Sequence, residues 1–132
     1  MWLITPVGFF SIVEKANDSD AGTLTIRARV RSDLDALRTS FLPELSSTKE
    51  TRAADYRFRA QAPREAVASA MAQLARTIDY SNFKDVVAKR QGKERASLYH
   101  GVWDVLYAMQ DNPKFQTPLA RQTKTSRPSI RP

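Results

Sequence analysis

The residues from Leu24 to Arg31 constrain this chain more than any other stretch. Leu24, Ile26, Ala28 and Val30 alternate without a break with Thr25, Arg27, Arg29 and Arg31. Successive side chains of an extended strand leave opposite faces, so this strand has one apolar face and one polar, largely cationic face. Such a strand fits an antiparallel sheet with a core on one side and water on the other. A second segment repeats the pattern, with Tyr56, Phe58 and Ala60 pointing one way and Arg57, Arg59 and Gln61 the other.

The rest of the chain supplies the elements around these two strands. Residues 2–13 mix Trp2, Ile4, Val7, Phe9, Phe10, Ile12 and Val13 without helical spacing, as a mostly buried strand would. Residues 16–22 have turn composition, which predicts a hairpin into the strand at 23–31. Ser32 suits a helix N-cap, with Asp33 and Asp35 near the helix's positive end, and Pro43 limits that helix. Residues 43–54 read as loop, with a short strand at 45–52 as an option. Pro63 suits the first turn of a helix whose Val67, Ala70, Met71, Leu74 and Ile78 form a core stripe. Ser81 is placed to cap a third helix ending near Gly92. A fourth, from about Lys93 to Gln110, is expected to bury some of Leu98, Tyr99, Val102, Trp103, Val105, Leu106 and Met109. The expected fold is therefore α+β, in the order β-β-α-β-α-α-α, with helices on one face of a small, mainly antiparallel sheet of three or four strands.

A chain of 132 residues holds one such domain, expected at residues 1–111, with a basic, disordered tail at 112–132 that has four prolines and few apolar side chains. The net charge of +7 favours acidic partners. From Asp111 onward five basic residues stand against one acidic, so this segment carries +4 of that excess. The apolar start lacks the basic region and cleavage site of a secretory signal, and no run approaches the ~20 apolar residues of a membrane-spanning helix. With no cysteine, the chain has no disulfide framework and no thiolate site, and reads as a soluble protein of the cytosol.

Several further stretches stand out in order: Trp2-Leu3 with Gly8-Phe9-Phe10-Ser11-Ile12-Val13, the run Leu24–Arg31, Asp55-Tyr56-Arg57-Phe58-Arg59, Asp79-Tyr80-Ser81-Asn82-Phe83-Lys84-Asp85, and Tyr99-His100-Gly101-Val102-Trp103. In these the chain resembles a family of small bacterial proteins of uncharacterised function, over residues 2–107. The resemblance implies a prokaryotic, free-standing domain and brings with it no activity and no site residue.

Candidate functional residues come from the cationic faces. Arg27, Arg29, Arg31, Arg57 and Arg59 group together if their strands pair, and the planar guanidinium matches phosphate geometry and stacks on bases. If Phe9 or Phe10 reaches the same face, the surface becomes a stacking and basic platform of the kind that holds single strands. An open sheet also needs polar residues outward whatever its function, and pairing with Glu14 or Asp55 would occupy part of the stripe. Tyr80, Asn82 and Lys84 gather at a helix start as a candidate anion pocket, or as an ordinary helix junction. His100 and Asp104, one helical turn apart, are weak candidates for a general base with its orienting carboxylate. A single histidine, no cysteine and no carboxylate cluster leave only an oxygen-ligand Mg²⁺ site assembled from distant Asp or Glu, and no P-loop, dinucleotide fingerprint or nucleophile elbow is present, so no cofactor is expected.

Three functions follow from these residues. The first is a non-enzymatic module that contacts nucleic-acid phosphates through the sheet arginines. The second is a small regulatory or inhibitory protein docking on an acidic partner protein, of the kind used in microbial defence or counter-defence. The third is a hydrolase or nuclease using His100 and Asp104.

Overall fold

A computed structural model describes residues 1–116. The elements are β1 (Trp2–Thr5), β2 (Gly8–Val13), α1 (Ala16–Ala21), β3 (Thr23–Ala28), α2 (Arg31–Ser40), β4 (Lys49–Glu50), β5 (Phe58–Pro63), α3 (Arg64–Arg76), α4 (Phe83–Gln91), α5 (Lys93–Tyr107) and α6 (Pro113–Gln116). The protein is α+β, with one antiparallel sheet in the order β1-β2-β3-β5-β4. The chain divides into two compact units, Met1–His100 and a second from Gly101 onward.

Five strands form where three or four were expected. The apolar run at 2–13 is a hairpin and not one strand: the chain reverses at Pro6-Val7, where Thr5 Oγ1 accepts from the amides of Val7 and Gly8, each at 3.2 Å. Proline fits such a turn because its fixed φ suits the bend and it has no amide to satisfy. Residues 16–21, read as a turn, form α1. The Asp18 carboxylate closes back on the Lys15 amide at 2.7 Å, and Gly22 ends the helix at φ 67°, a left-handed conformation that glycine adopts without a Cβ clash. Helix α2 starts one residue before its expected cap, with Val30 as N-cap and Ser32 inside the first turn. Asn82, and not Ser81, caps α4, its side chain accepting from the Asp85 amide at 3.2 Å.

The core of the first unit lies between one face of the sheet and helices α2 and α3. Phe10 and Ile12 from β2, Ile26 and Ala28 from β3, and Ala60 and Ala62 from β5 all point to it, and all are buried against Leu34, Leu37, Leu42, Val67 and Ala70. Met71 and Leu74 pack at its margin, whereas Ile78 lies past the end of α3 and is exposed. A buried acid ties α2 to the sheet and to α5. Asp33 Oδ2 accepts from the Phe9 amide at 3.1 Å, and Oδ1 accepts from Arg95 at 2.6 Å. Gly8 is required beside it, since a Cβ there would lie 2.6 Å from Asp33 Cγ.

The second unit holds the last part of α5 and, among its described residues, the short helix α6. Trp103 and Tyr107 stack at 5.1 Å. The apolar side chains expected to be buried on this helix are largely outward: Leu98, Val102, Trp103, Val105, Leu106 and Met109 are exposed, and of the group only Tyr99 is partly buried. The residues expected to form the tail include α6, and from 117 onward they lie outside the described residues.

Candidate functional site

Strand register decides which side chains share the face opposite the core. Trp2 lies opposite Ser11, Ser11 opposite Arg27, Arg27 opposite Arg59, and Arg59 opposite Lys49. Partners in antiparallel strands project to the same side, so these five residues form one row across all five strands. Its middle and far end are cationic, with Arg27, Arg59 and Lys49 in successive register positions.

Of the five candidate arginines, three gather on this face and two do not. Tyr56 was expected on the core side with Phe58 and Ala60, but β5 begins only at Phe58. Tyr56 lies before the ladder and folds onto the outer face, where the Arg27 and Arg29 guanidiniums each sit 4.6 Å from its ring centroid. Arg27 also donates to Ser11 Oγ at 2.7 Å, and Arg29 to the Asp55 carbonyl oxygen at 2.7 Å. Arg59 Nε reaches the Tyr56 carbonyl oxygen at 3.4 Å. Arg31 and Arg57 instead flank the Phe58 ring at 5.3 and 5.5 Å and converge on Glu50. Arg57 approaches Glu50 to 2.5 Å, and the hydrogen bond it donates, opposed in part by burial, holds that carboxyl below the usual range, with the charges of Arg57, Arg52 and Arg31 adding to it.

The counter-ions are therefore not those expected from sequence. Glu14 pairs with Arg64, Asp55 offers Arg29 its carbonyl and not its carboxylate, and Glu50 is shared by Arg31, Arg52 and Arg57. Among the described residues, Arg27, Arg29, Arg59, Lys49 and Lys15 have no carboxylate partner.

Aromatic side chains adjoin this charge. Phe9 reaches the outer face, as its alternation with buried Phe10 requires, and lies edge-on to Trp2 at 6.1 Å and tilted to Tyr56 at 6.2 Å. Trp2 is 73% exposed, whereas Tyr56 is buried and has both the Arg27 and the Arg29 guanidinium against its ring.

The other end of the face is closed by α1. The buried Asp18 accepts from Thr23 Oγ1 at 2.6 Å, Thr25 Oγ1 at 2.7 Å, Gln61 Nε2 at 2.8 Å and the Lys15 amide. Burial pushes this carboxyl up, and the four donors together outweigh it and bring it down to about 2. Beside it opens a cleft of about 500 Å³ lined by Lys15, Lys49, Arg59 and the Ser46-Ser47 segment. Arg38 holds that segment in place, donating to the carbonyl oxygens of Leu45 and Ser46 and to Thr48 Oγ1. Reciprocal bonds between Ser46 and Gln61 pin the segment to β5.

Tyr80, Asn82 and Lys84 are each engaged differently. Tyr80 lines an apolar cleft of about 300 Å³ with Leu3, Met71 and Ile78, Asn82 is spent on the α4 cap, and Lys84 Nζ lies 3.0 Å from His100 Nδ1. His100 and Asp104 both belong to α5. Lys15 and Lys49 were not singled out from the sequence: strand register brings Lys49 to Arg59, and Lys15, the N-cap of α1, shares a cleft with them that local composition does not mark. Among the described residues no three of His, Cys, Asp or Glu come together as a metal site, and no helix is long and apolar enough to cross a membrane.

The class these features define is an α+β domain whose open antiparallel sheet turns a cationic face with an aromatic edge away from its core. No protein-family model, curated protein or solved structure matches the chain.

Proposed function

We propose that the outer sheet face binds the phosphate backbone of a nucleic-acid strand, with Arg29, Arg59, Lys49 and the tyrosine-stacked Arg27 as its cations. The observation that carries this reading is the row Arg27, Arg59, Lys49. Like charges directly opposite one another on a sheet are destabilising, and a face that needed only to be wet would intersperse both signs. Three cations in consecutive register positions without a carboxylate among them suit a polyanion. The exposed Trp2 at the end of the same row favours a strand with unstacked bases over a carboxylate-rich protein surface, since aromatic rings hold single strands by base stacking. Arg31 and Arg57, which point to Glu50 and away from the row, have no part in this reading.

The test is a fluorescence-anisotropy titration of a labelled mixed-sequence single strand at several salt concentrations. Affinity should fall steeply with salt, with a logarithmic slope of roughly −0.7 for each phosphate neutralised. The Arg29→Ala/Arg59→Ala protein should lose most of the affinity, and the Arg31→Ala/Arg57→Ala protein should keep it. Undiminished binding by the first double variant overturns the reading, as does equal affinity for polyglutamate, which would mark the face as a dock for an acidic protein.

A further inference from the structure

We infer that the cleft lined by Lys15, Lys49 and Arg59 is a site for a phosphate monoester, and that it takes the terminal phosphate of the strand bound across the sheet. The strand's identity rests on the proposed function, whereas the monoester site rests on the cleft itself.

Three features support a monoester over the internal phosphodiesters that the rest of the face would meet. The first is charge. Three cations line the cleft and the one carboxylate beneath its floor is Asp18, leaving a balance of +2. A diester carries one negative charge, whereas a monoester near neutral pH carries about −1.5 to −2 and offers three acceptor oxygens. The second is the state of that carboxylate. Asp18 is saturated by four donors, two of them from the cleft-lining Thr25 and Gln61, so its charge is held by the protein, and the second N–H of the Gln61 amide is not used by it. Glu14 and Glu50, the neighbours of Lys15 and Lys49 in sequence, are engaged by arginines. The third is position. The cleft lies at the β5-β4 end of the row, opposite the end that carries Trp2, and β4 is an edge strand of two residues. A strand stacked at Trp2 and crossing the sheet therefore reaches its end here.

The experiment compares three oligonucleotides of one sequence, with a 5′-phosphate, a 3′-phosphate or neither. One end-phosphorylated strand should bind about ten-fold more tightly than the unmodified strand, the scale of one or two charge-assisted hydrogen bonds. Lys15→Ala, which removes a cation of the cleft that is not in the Arg27, Arg59, Lys49 row, should remove most of that preference and leave the unmodified strand's affinity within about two-fold, since phosphates along the sheet still meet Arg29, Arg59 and Lys49. Equal affinity for all three strands overturns the proposal, and so does an equal loss for all three in the variant. A parallel measurement separates this outcome from failure of the nucleic-acid reading. In a titration with a nucleoside 5′-monophosphate followed by amide chemical shifts, movement at Ser46, Ser47 and Lys49 that the unphosphorylated nucleoside does not produce sustains the site even if no oligonucleotide binds. Absence of such movement overturns it. Lys15 is exposed, and an unchanged far-ultraviolet circular dichroism spectrum verifies that the variant is folded.

Discussion

The two faces of the sheet are built from the same strands and the same alternation, yet they are held in different ways. On the core face, Phe10, Ile26 and Ala28 are completely buried, and contacts of one kind, apolar packing, fix them all. On the outer face each large side chain has its own arrangement: Arg27 lies on Tyr56 and Ser11, Arg29 reaches a carbonyl oxygen, Trp2 stands mostly in water, and Lys49 has no carboxylate partner among the described residues. Burial dictates apolar residues across one side, whereas on the other it covers Ser11, Thr25, Asp18 and Tyr56 and leaves Arg27, Arg29 and Arg59 at least partly exposed. On the proposed reading, these arginines serve a ligand more than they serve folding.

The sharpest contrast in stability should come from Phe10, whose ring is buried at the centre of the core. Phe10→Ala removes a full aromatic side chain from a packed interior and should cost about 3–5 kcal/mol, read as a lowered urea midpoint at unchanged slope. A cost below about 1 kcal/mol would mean that the core face is no better packed than the outer one.

Asp18 is the one outer-face group expected to contribute to stability on a comparable scale. Its carboxyl titrates at about 2 in the folded chain, against an ordinary 3.8, because four donors hold the ionised form. A folded-state value below the unfolded one contributes stability that is complete above about pH 4 and is lost as the pH falls toward 2, on the order of 2 kcal/mol. Urea midpoints measured between pH 5 and pH 2 should show this loss. Asp18→Asn should start lower and lose less across that window, since its amide cannot titrate and cannot accept from all four donors. Parallel pH profiles for the two proteins would remove Asp18 from its place as the anchor of that end of the face.

These expectations also show where sequence reasoning reached and where it stopped. The alternation at 24–29 located the core positions Ile26 and Ala28 and the outward Arg27, because period two is a property of strand geometry itself. It failed at both ends of that reasoning. Val30, assigned to the core side, is 40% exposed as the N-cap of α2, and Tyr56, assigned the same way, folds across to the arginines. Side chains alternate only while the ladder holds the backbone extended, and neither residue is inside it. The hairpin within 2–13 was hidden for a related reason: both of its strands are rich in apolar residues, so no change of period marks the reversal. Lys49 became visible as a site residue only through register, and Lys15 only through the packing of α1 beside the sheet, long-range properties that local composition does not carry. The exposed apolar side chains of α5 show the limit of helical periodicity, which locates a helix and a stripe without saying what covers it.

The smallest effect is the one that most directly tests the contrast between the faces. Arg59 sits between Arg27 and Lys49 in register, with one long hydrogen bond to the Tyr56 carbonyl oxygen and no carboxylate partner among the described residues. If folding were the reason for an arginine here, Arg59→Gln should destabilise the protein. If the residue serves a ligand at some cost in repulsion, the substitution should leave stability unchanged or raise it by up to about 0.5 kcal/mol, the scale of a like-charge pair on a sheet. Salt distinguishes the two further. Screening weakens repulsion between exposed cations over a Debye length of about 8 Å at physiological ionic strength, so any gain should be largest at low salt and vanish at high salt. Urea midpoints of the two proteins at low and high salt decide it. A loss above about 1 kcal/mol, insensitive to salt, would make the outer face as much a part of the folding problem as the core and would take away the argument that its charge is kept for a polyanion.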